Sequence, residues 1–260
     1  MDLLTAIFNY YDTNKDKGIP YLRELKRLRS LDQITFINVI FPYPFVDKYN
    51  EYKNVYRDDE GYPFIVFPDN RKLYFPKNWD EFRVKIAFQL LEIEQDIESP
   101  HHYLPISPGS DITLDIGCAE ANFSFFNYKN SREFHLFDTE EFKDVIHKTF
   151  NDNVIFHCGL VDASNSIDSI NFNGKVDNIK LDVEGYEYQV LVGAARTIFK
   201  DKPNIQVCTY HMQNQFEEVY DLLKSFGYKN LKCSQGYMIF PHSGQAIPFF
   251  RKGLLYASYQ

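Results

Sequence analysis

The 260-residue chain contains no run of about 18 apolar residues, so no membrane-spanning helix is expected. Its most apolar stretch, residues 34–46, is broken by Asn38, Pro42 and Pro44. The first ten residues carry no basic segment ahead of an apolar one, so no secretory leader is expected. Cysteine is scarce. Cys118, Cys158, Cys208 and Cys233 lie far apart, with no C-x-x-C or Cys/His spacing for a metal. They read as free thiols of a reducing cytoplasm. Positive charge is also short: 28 Lys and Arg stand against 36 Asp and Glu, a net charge of −8. That argues against a phosphate-binding surface and against nucleic acid as a partner. Arg23, Lys26, Arg27 and Arg29 form one local basic cluster, read as the solvated face of a helix.

What is present is enough to build a core, since 44% of residues are hydrophobic. The pattern changes near residue 105. Before it, Leu22, Leu25, Leu28 and Leu31 suggest a helix. Residues 63–67 and 72–75 flank Pro68-Asp69-Asn70-Arg71 and read as a β-hairpin. Trp79, Phe82, Ile86, Leu90, Ile93 and Ile97 step by three or four, predicting a helix over 79–98 that Pro100 stops. Residues 1–104 therefore form an N-terminal helical and β-hairpin extension, whose aromatic content suits a homodimer interface.

From 105 to 260, short apolar runs alternate with helical periods. Strands are expected at 112–116, 133–137, 154–158, 178–181 and 205–209. Helices fit at 121–129, 141–150, 187–199 and 213–226, the last burying Phe216, Val219, Leu223 and Phe226. Strands separated by helices give a mostly parallel, Rossmann-like α/β sheet. Runs at 230–233, 237–240 and 254–257 have no helix between them, so the sheet should end in an antiparallel hairpin.

The candidate chemistry lies at the strand ends, where ligands of open parallel sheets bind. The first strand ends in Asp115-Ile116-Gly117, followed by Glu120 and Asn122. Gly117 would let the backbone approach a ligand closely. The glycines of a dinucleotide fingerprint are missing, and Asp115 and Glu120 would repel a pyrophosphate. A cationic, phosphate-free ligand such as S-adenosylmethionine suits this acidic loop better than a nicotinamide cofactor. Phe137-Asp138 closes the second strand, 21 residues beyond Gly117, where an acid can accept from ribose hydroxyls; a helix cap is the alternative. Asp162, after the third strand, could accept from an adenine amino group or simply serve a turn.

The fourth strand supplies the sharpest motif, Lys180-Leu181-Asp182-Val183-Glu184-Gly185-Tyr186-Glu187. Asp182 and Glu184 alternate, so both can face the cleft. Paired carboxylates suit a base near neutrality, or with His211 a divalent metal. His211, ending the fifth strand, could deprotonate a substrate hydroxyl.

These residues resemble the FkbM family of methyltransferases. The 180–187 motif with Val190-Leu191-Val192-Gly193-Ala194 is close to that family's most recognisable stretch, and Asp115-Ile116-Gly117 resembles its cofactor motif. Ser166-Ile167-Asp168-Ser169-Ile170 resembles the family's T-L-D segment. One branch is similar at Glu94-Gln95-Asp96, residues 99–103, residues 119–123, residues 208–211 and residues 248–253, so the likeness runs over roughly 60–257. Ala121 departs from it, because the family usually has glycine there. The resemblance implies a class I methyltransferase fold with the S-adenosylmethionine domain over 105–260. It also implies methyl transfer to a small-molecule hydroxyl, often of a sugar or sugar nucleotide. It brings Glu94, Gln95, His101 and His102 to the substrate side; Tyr237 of the tail is a further candidate for substrate contact. On their own, residues 94–96 read as a solvated helix side and His101-His102 as a loop. Arg251 with Lys252 would meet an anionic substrate or form a surface pair. Other classes are a non-catalytic sugar- or nucleoside-binding relative and a nicotinamide-dependent oxidoreductase. A nucleic-acid methyltransferase is disfavoured, since no N/D-P-P-Y tetrapeptide occurs.

Overall fold

The computed structural model describes residues 3–150, 153–241 and 247–259. The N-terminal part opens with helices α1 (Leu3–Thr13), α2 (Lys15–Gly18), α3 (Leu22–Arg29) and α4 (Phe36–Ile40). The Thr35 side chain accepts from the Asn38 N–H while Asn38 Oδ1 accepts from the Thr35 N–H, a reciprocal cap that starts α4. Strands β1 (Tyr56–Arg57), β2 (Pro63–Val66) and β3 (Lys72–Tyr74) form a small antiparallel sheet. The β2–β3 hairpin turns on Asn70, whose φ of 67° is one that asparagine tolerates.

Helix α5 (Glu81–Glu94) starts at Asp80, whose carboxylate accepts from the Arg83 N–H at 2.7 Å. It is shorter than the 79–98 span, and its buried side differs in part from the expected one. Ile93 points inward as expected, but so do Val84 and Phe88, whereas Phe82 is 70% exposed. Ile97 lies beyond the helix and is 84% exposed. A helix with apolar side chains on most of its circumference offers several stripes, and spacing alone did not pick the right one.

The large sheet comprises β4 (Ser110–Ile116), β5 (Ser131–Asp138), β6 (Val154–Cys158), β7 (Val176–Leu181), β8 (Asn204–Cys208), β9 (Asn230–Cys233) and β10 (Leu254–Ser258). Its order is β6-β5-β4-β7-β8-β10-β9. All pairs from β6 to β8 are parallel, and β10 runs antiparallel to both neighbours. The expected mixed sheet with an antiparallel end is thus present. The 237–240 run is not a strand; only an isolated Met238–Arg251 bridge forms there. Helices α6 (Asn122–Asn127), α7 (Lys143–Thr149), α8 (Glu187–Gly193), α9 (Ala195–Asp201) and α10 (Gln215–Ser225) connect the strands. The single helix expected over 187–199 is two. Gly193 packs against the 162–163 backbone, where a Cβ would lie 2.5 Å from the Asp162 carbonyl oxygen. That contact explains why glycine stands at the break.

Two cores flank the sheet. On one side Val190, Leu191, Ile198, Val219 and Leu223 of α8–α10 pack on β4, β7 and β8. On the other, Ile37, Ile40, Phe41, Trp79 and Phe88 of the N-terminal part share one cluster with Phe123, Cys208, Tyr210 and Leu254. Each such large side chain contributes roughly 1.5–3 kcal/mol of burial. The reversal of strand order between β4 and β7 leaves a crevice at their carboxyl ends, roofed by this second cluster.

Candidate functional site

Strands β4 and β7 meet at their ends through backbone. The Asp182 N–H donates to the Ile116 carbonyl at 2.9 Å. Gly117, at φ +76°, sits against the Asp182 carbonyl so closely that any Cβ would collide with it. The approach of the two strand ends therefore requires the glycine. The loop beyond is left-handed at Ala119 (φ 45°) and Ala121 (φ 58°). A glycine preference at 121 is thus a backbone preference, and Ala121 holds the same turn under strain. Asp138 fastens this loop: its Oδ2 accepts from the Ala119 N–H at 2.8 Å and its Oδ1 from the Thr139 N–H at 2.7 Å.

Asp115 lies beneath the loop, fully buried, with Lys180 Nζ at 3.0 Å and the Ser124 hydroxyl donating at 2.6 Å. Lys180 also donates to the Gly117 carbonyl at 2.5 Å. Burial opposes its charge, but Asp115 and Asp182 outweigh that and hold it protonated. A lysine between Ile179 and Leu181 is the sequence signal that could have found this pair.

Above it opens a cavity of about 450 Å³, lined among others by Gly117, Glu120, Asn122, Glu94, Gln95, His101, Lys180, Asp182 and Glu184. Asp182 is its hub. Tyr103 donates to Oδ2 at 2.9 Å, His101 Nε2 lies 3.6 Å from Oδ2, and His211 Nε2 lies 3.4 Å from Oδ1. Burial works against the Asp182 charge, yet His101, Lys180 and His211 together drive its carboxyl far below the usual range. It stays ionised while only 20% exposed. His101 Nε2 also shares a hydrogen bond with the Tyr210 hydroxyl at 3.0 Å. Glu184 adopts φ 54° and is 76% exposed, with Oε2 3.6 Å from His211 Nε2.

Two further acids face the cavity. Burial pushes Glu120 up to about 7, with Glu94 adding to the effect. Burial also raises Glu94, opposed by His101. A pocket holding acids under desolvation is suited to a cation, whose charge would relieve them.

His211 is buried behind Asp182. Burial lowers its basicity, but the Glu187 hydrogen bond and the Asp182 charge outweigh burial and raise its pKa. Donor atoms of Asp182, Glu187 and His211 lie within 4.8 Å of one another, so Glu187 rather than Glu184 completes the tight cluster. A second cluster joins His101, Asp182 and Cys208. Burial, with the Asp182 charge, pushes the Cys208 thiol well up, so it stays protonated and poorly suited to a metal.

Other expected site residues lie elsewhere. Phe137 is buried and stacks on His157 at 4.4 Å between ring centroids. Asp162 Oδ1 accepts from the Ser164 and Asn165 N–H groups, which is the turn alternative. His102 turns to a separate groove of about 1060 Å³, its Nδ1 2.9 Å from the Gln95 carbonyl. Tyr237 packs edge-on to Tyr21, with Lys252 over its ring. Arg251 corrects both sequence readings: it is buried, not at the surface. Its Nη1 donates to the carbonyls of Tyr210 (2.9 Å) and His211 (2.7 Å). Roles for Lys180, Tyr103, Tyr210 and Glu187 were not read from the sequence, because their partners lie on distant segments of the chain.

A mostly parallel seven-stranded sheet with this end topology and a carboxylate-lined crevice defines a class I methyltransferase fold. A model of the methyltransferase FkbM domain matches residues 91–229, just over half of the chain. The chain belongs to this family of S-adenosylmethionine-dependent methyltransferases. No curated protein matches it. Among solved structures, methyltransferase FkbM from Methylobacillus flagellatus KT is similar at 17% identity and a TM-score of 0.45, with 69% of this chain and 55% of that one covered. The chain thus spans about half the length of that protein. Precorrin 8w decarboxylase from Methanobacterium thermoautotrophicum is 16% identical (TM-score 0.42; 78% and 99% covered). Precorrin-6y C5,15-methyltransferase from Geobacter metallireducens GS-15 is 12% identical (TM-score 0.40; 71% and 93% covered).

Proposed function

We propose that the protein transfers a methyl group to a hydroxyl oxygen of a small molecule, with a sugar or sugar nucleotide as the acceptor class. One observation carries the reading: an ionised carboxylate, Asp182, stands at the cavity wall between two histidines and a tyrosine. That arrangement orients an O–H group and offers its proton a path. The cavity fits the cofactor chemically, since its walls carry Glu94, Glu120 and Asp182 and, among the described residues, no unpaired cation, Lys180 being tied to Asp115. S-Adenosylmethionine, when bound, supplies an activated sulfonium methyl group.

The chain's own residues then do the rest. The Gly117–Asn122 loop shapes the floor, and Glu120 and Glu94 favour positive charge. Asp182 accepts a hydrogen bond from the acceptor hydroxyl and fixes its line of approach. His211, behind Asp182, would take up the proton that the acceptor hydroxyl gives up through Asp182. Incubation with methyl-labelled cofactor and a panel of sugars and sugar nucleotides tests this, with the product read by mass spectrometry. Methyl on oxygen is expected. Methyl on nitrogen or carbon would overturn the reading, and cofactor binding with no transfer to any hydroxyl would favour the non-catalytic relative.

A second reading rests on one distance set. Ligand atoms of Asp182, Glu187 and His211 lie within 4.8 Å of one another, close enough to gather around one ion. A divalent ion there would lower the hydroxyl pKa. Dialysis against chelator separates the two: unchanged turnover removes the metal, and loss restored by add-back removes the metal-free path.

A further inference from the structure

His211 is pinned at every polar atom but one. Its N–H donates to Gln215 Oε1 at 2.9 Å, and its carbonyl accepts from Arg251 at 2.7 Å. Nδ1 lies 2.8 Å from Glu187 Oε1. Nε2 is buried without a hydrogen bond and faces Asp182.

Glu187 is fully buried, at 0% exposure, in the first turn of α8. The donor pattern around it is determined. Gln215 Oε1 accepts from the N–H groups of His211 and Met212, so the other end of that amide must be the donor toward Glu187 Oε2. The Val183 N–H donates to Glu187 Oε1 at 2.9 Å. A carboxylate surrounded by donors accepts from Nδ1–H, and the neutral imidazole then carries its lone pair on Nε2.

We propose that Glu187 is the positioning residue of this site, holding His211 in the Nδ1–H form so that Nε2 faces Asp182 at the cavity wall. The proposal rests on the reading of His211 as the proton acceptor. Capping of α8 does not account for the contact, because the Val183 N–H uses only part of the carboxylate.

The test combines spectroscopy with kinetics. Nitrogen-15 NMR of the histidine-labelled wild-type protein, at a pH where the ring is neutral, should show Nδ1 protonated; the signal is assigned by its loss in H211Q. A protonated Nε2 would overturn the proposal, and this measurement needs no Glu187 variant to fold. In Glu187→Gln the amide can donate to Nδ1 and release the other tautomer. We expect kcat to fall by about 10²-fold or more while the cofactor Kd stays within about threefold. Turnover within twofold of wild type, or a loss that only tracks the unfolded fraction with the His211 signals unmoved, would reject the role. The two readings fail separately. If H211Q keeps wild-type turnover, His211 is not the proton acceptor. If H211Q is inactive and E187Q is not, only the role of Glu187 falls.

Discussion

The Cα of Gly117 faces the carbonyl oxygen of Asp182 with no room for a side chain between them. Two strand ends, 65 positions apart in sequence, are joined at the point where the site opens. Gly117→Ala must push β4 and β7 apart and place a side chain at φ +76°. We expect a loss of about 2–4 kcal/mol in denaturant unfolding. Cofactor affinity should fall at least tenfold by calorimetry. A variant with unaltered stability and affinity would show that the ends can separate freely.

Asp182→Asn preserves shape and removes charge. Turnover is expected to drop by about 10²–10⁴-fold with a much smaller change in cofactor Kd. The pH profile adds a second readout. As His211 must be neutral to accept a proton, activity rises as pH climbs through its raised pKa, so the acid limb should sit above 6.5. Removing the Asp182 charge takes away one cause of that rise, and residual activity should show a limb at lower pH. A limb at the same pH in both proteins contradicts the coupling.

Glu120 gives a stability prediction with a definite sign. Its folded pKa, about 7, exceeds its ordinary value of 4.5. Between those values the folded chain keeps a proton that the unfolded chain has lost, so stability falls as pH rises across the window. The cost above pH 7 is at most about 3 kcal/mol. Glu120→Gln should therefore be more stable than wild type at pH 8 and lose that advantage at pH 4, as measured by urea unfolding. An advantage independent of pH would rule out this origin.

Ala121→Gly exchanges strain for a lost methyl. A left-handed alanine costs about 1–2 kcal/mol, and burying one methyl returns about 0.8 kcal/mol. A net gain of up to about 1 kcal/mol in unfolding free energy is expected, and a clear loss would mean that packing outweighs strain.

Much of the architecture was legible in the sequence because burial on a parallel strand leaves a plain mark. Ser110–Ile116, Val176–Leu181 and Asn204–Cys208 lie within two residues of the runs at 112–116, 178–181 and 205–209. Strand-end residues Gly117, Asp182 and Glu184 gather at one crevice because alternation and topology leave little choice. What sequence could not give was direction across the fold. Arg251 reads as a surface cation, yet it turns inward to cap the Tyr210 and His211 carbonyls. Asp162 has the same side chain whether it meets a ligand or closes a turn. Glu187 and His211 are 24 residues apart, and only the placement of α8 beside β8 makes them partners.

The cavity is not built by the family-matched stretch alone. Phe36, Ile40 and Leu90 precede residue 91 and Met238, Phe240 and Pro241 follow residue 229, yet all six line it. The floor, with its carboxylates and His101, lies within the family-matched stretch; much of the ceiling lies outside it. Drift in the ceiling can therefore change what the chamber admits without disturbing how it reacts, and a fragment cut at the family boundaries would keep the chemistry's residues in an unroofed trough.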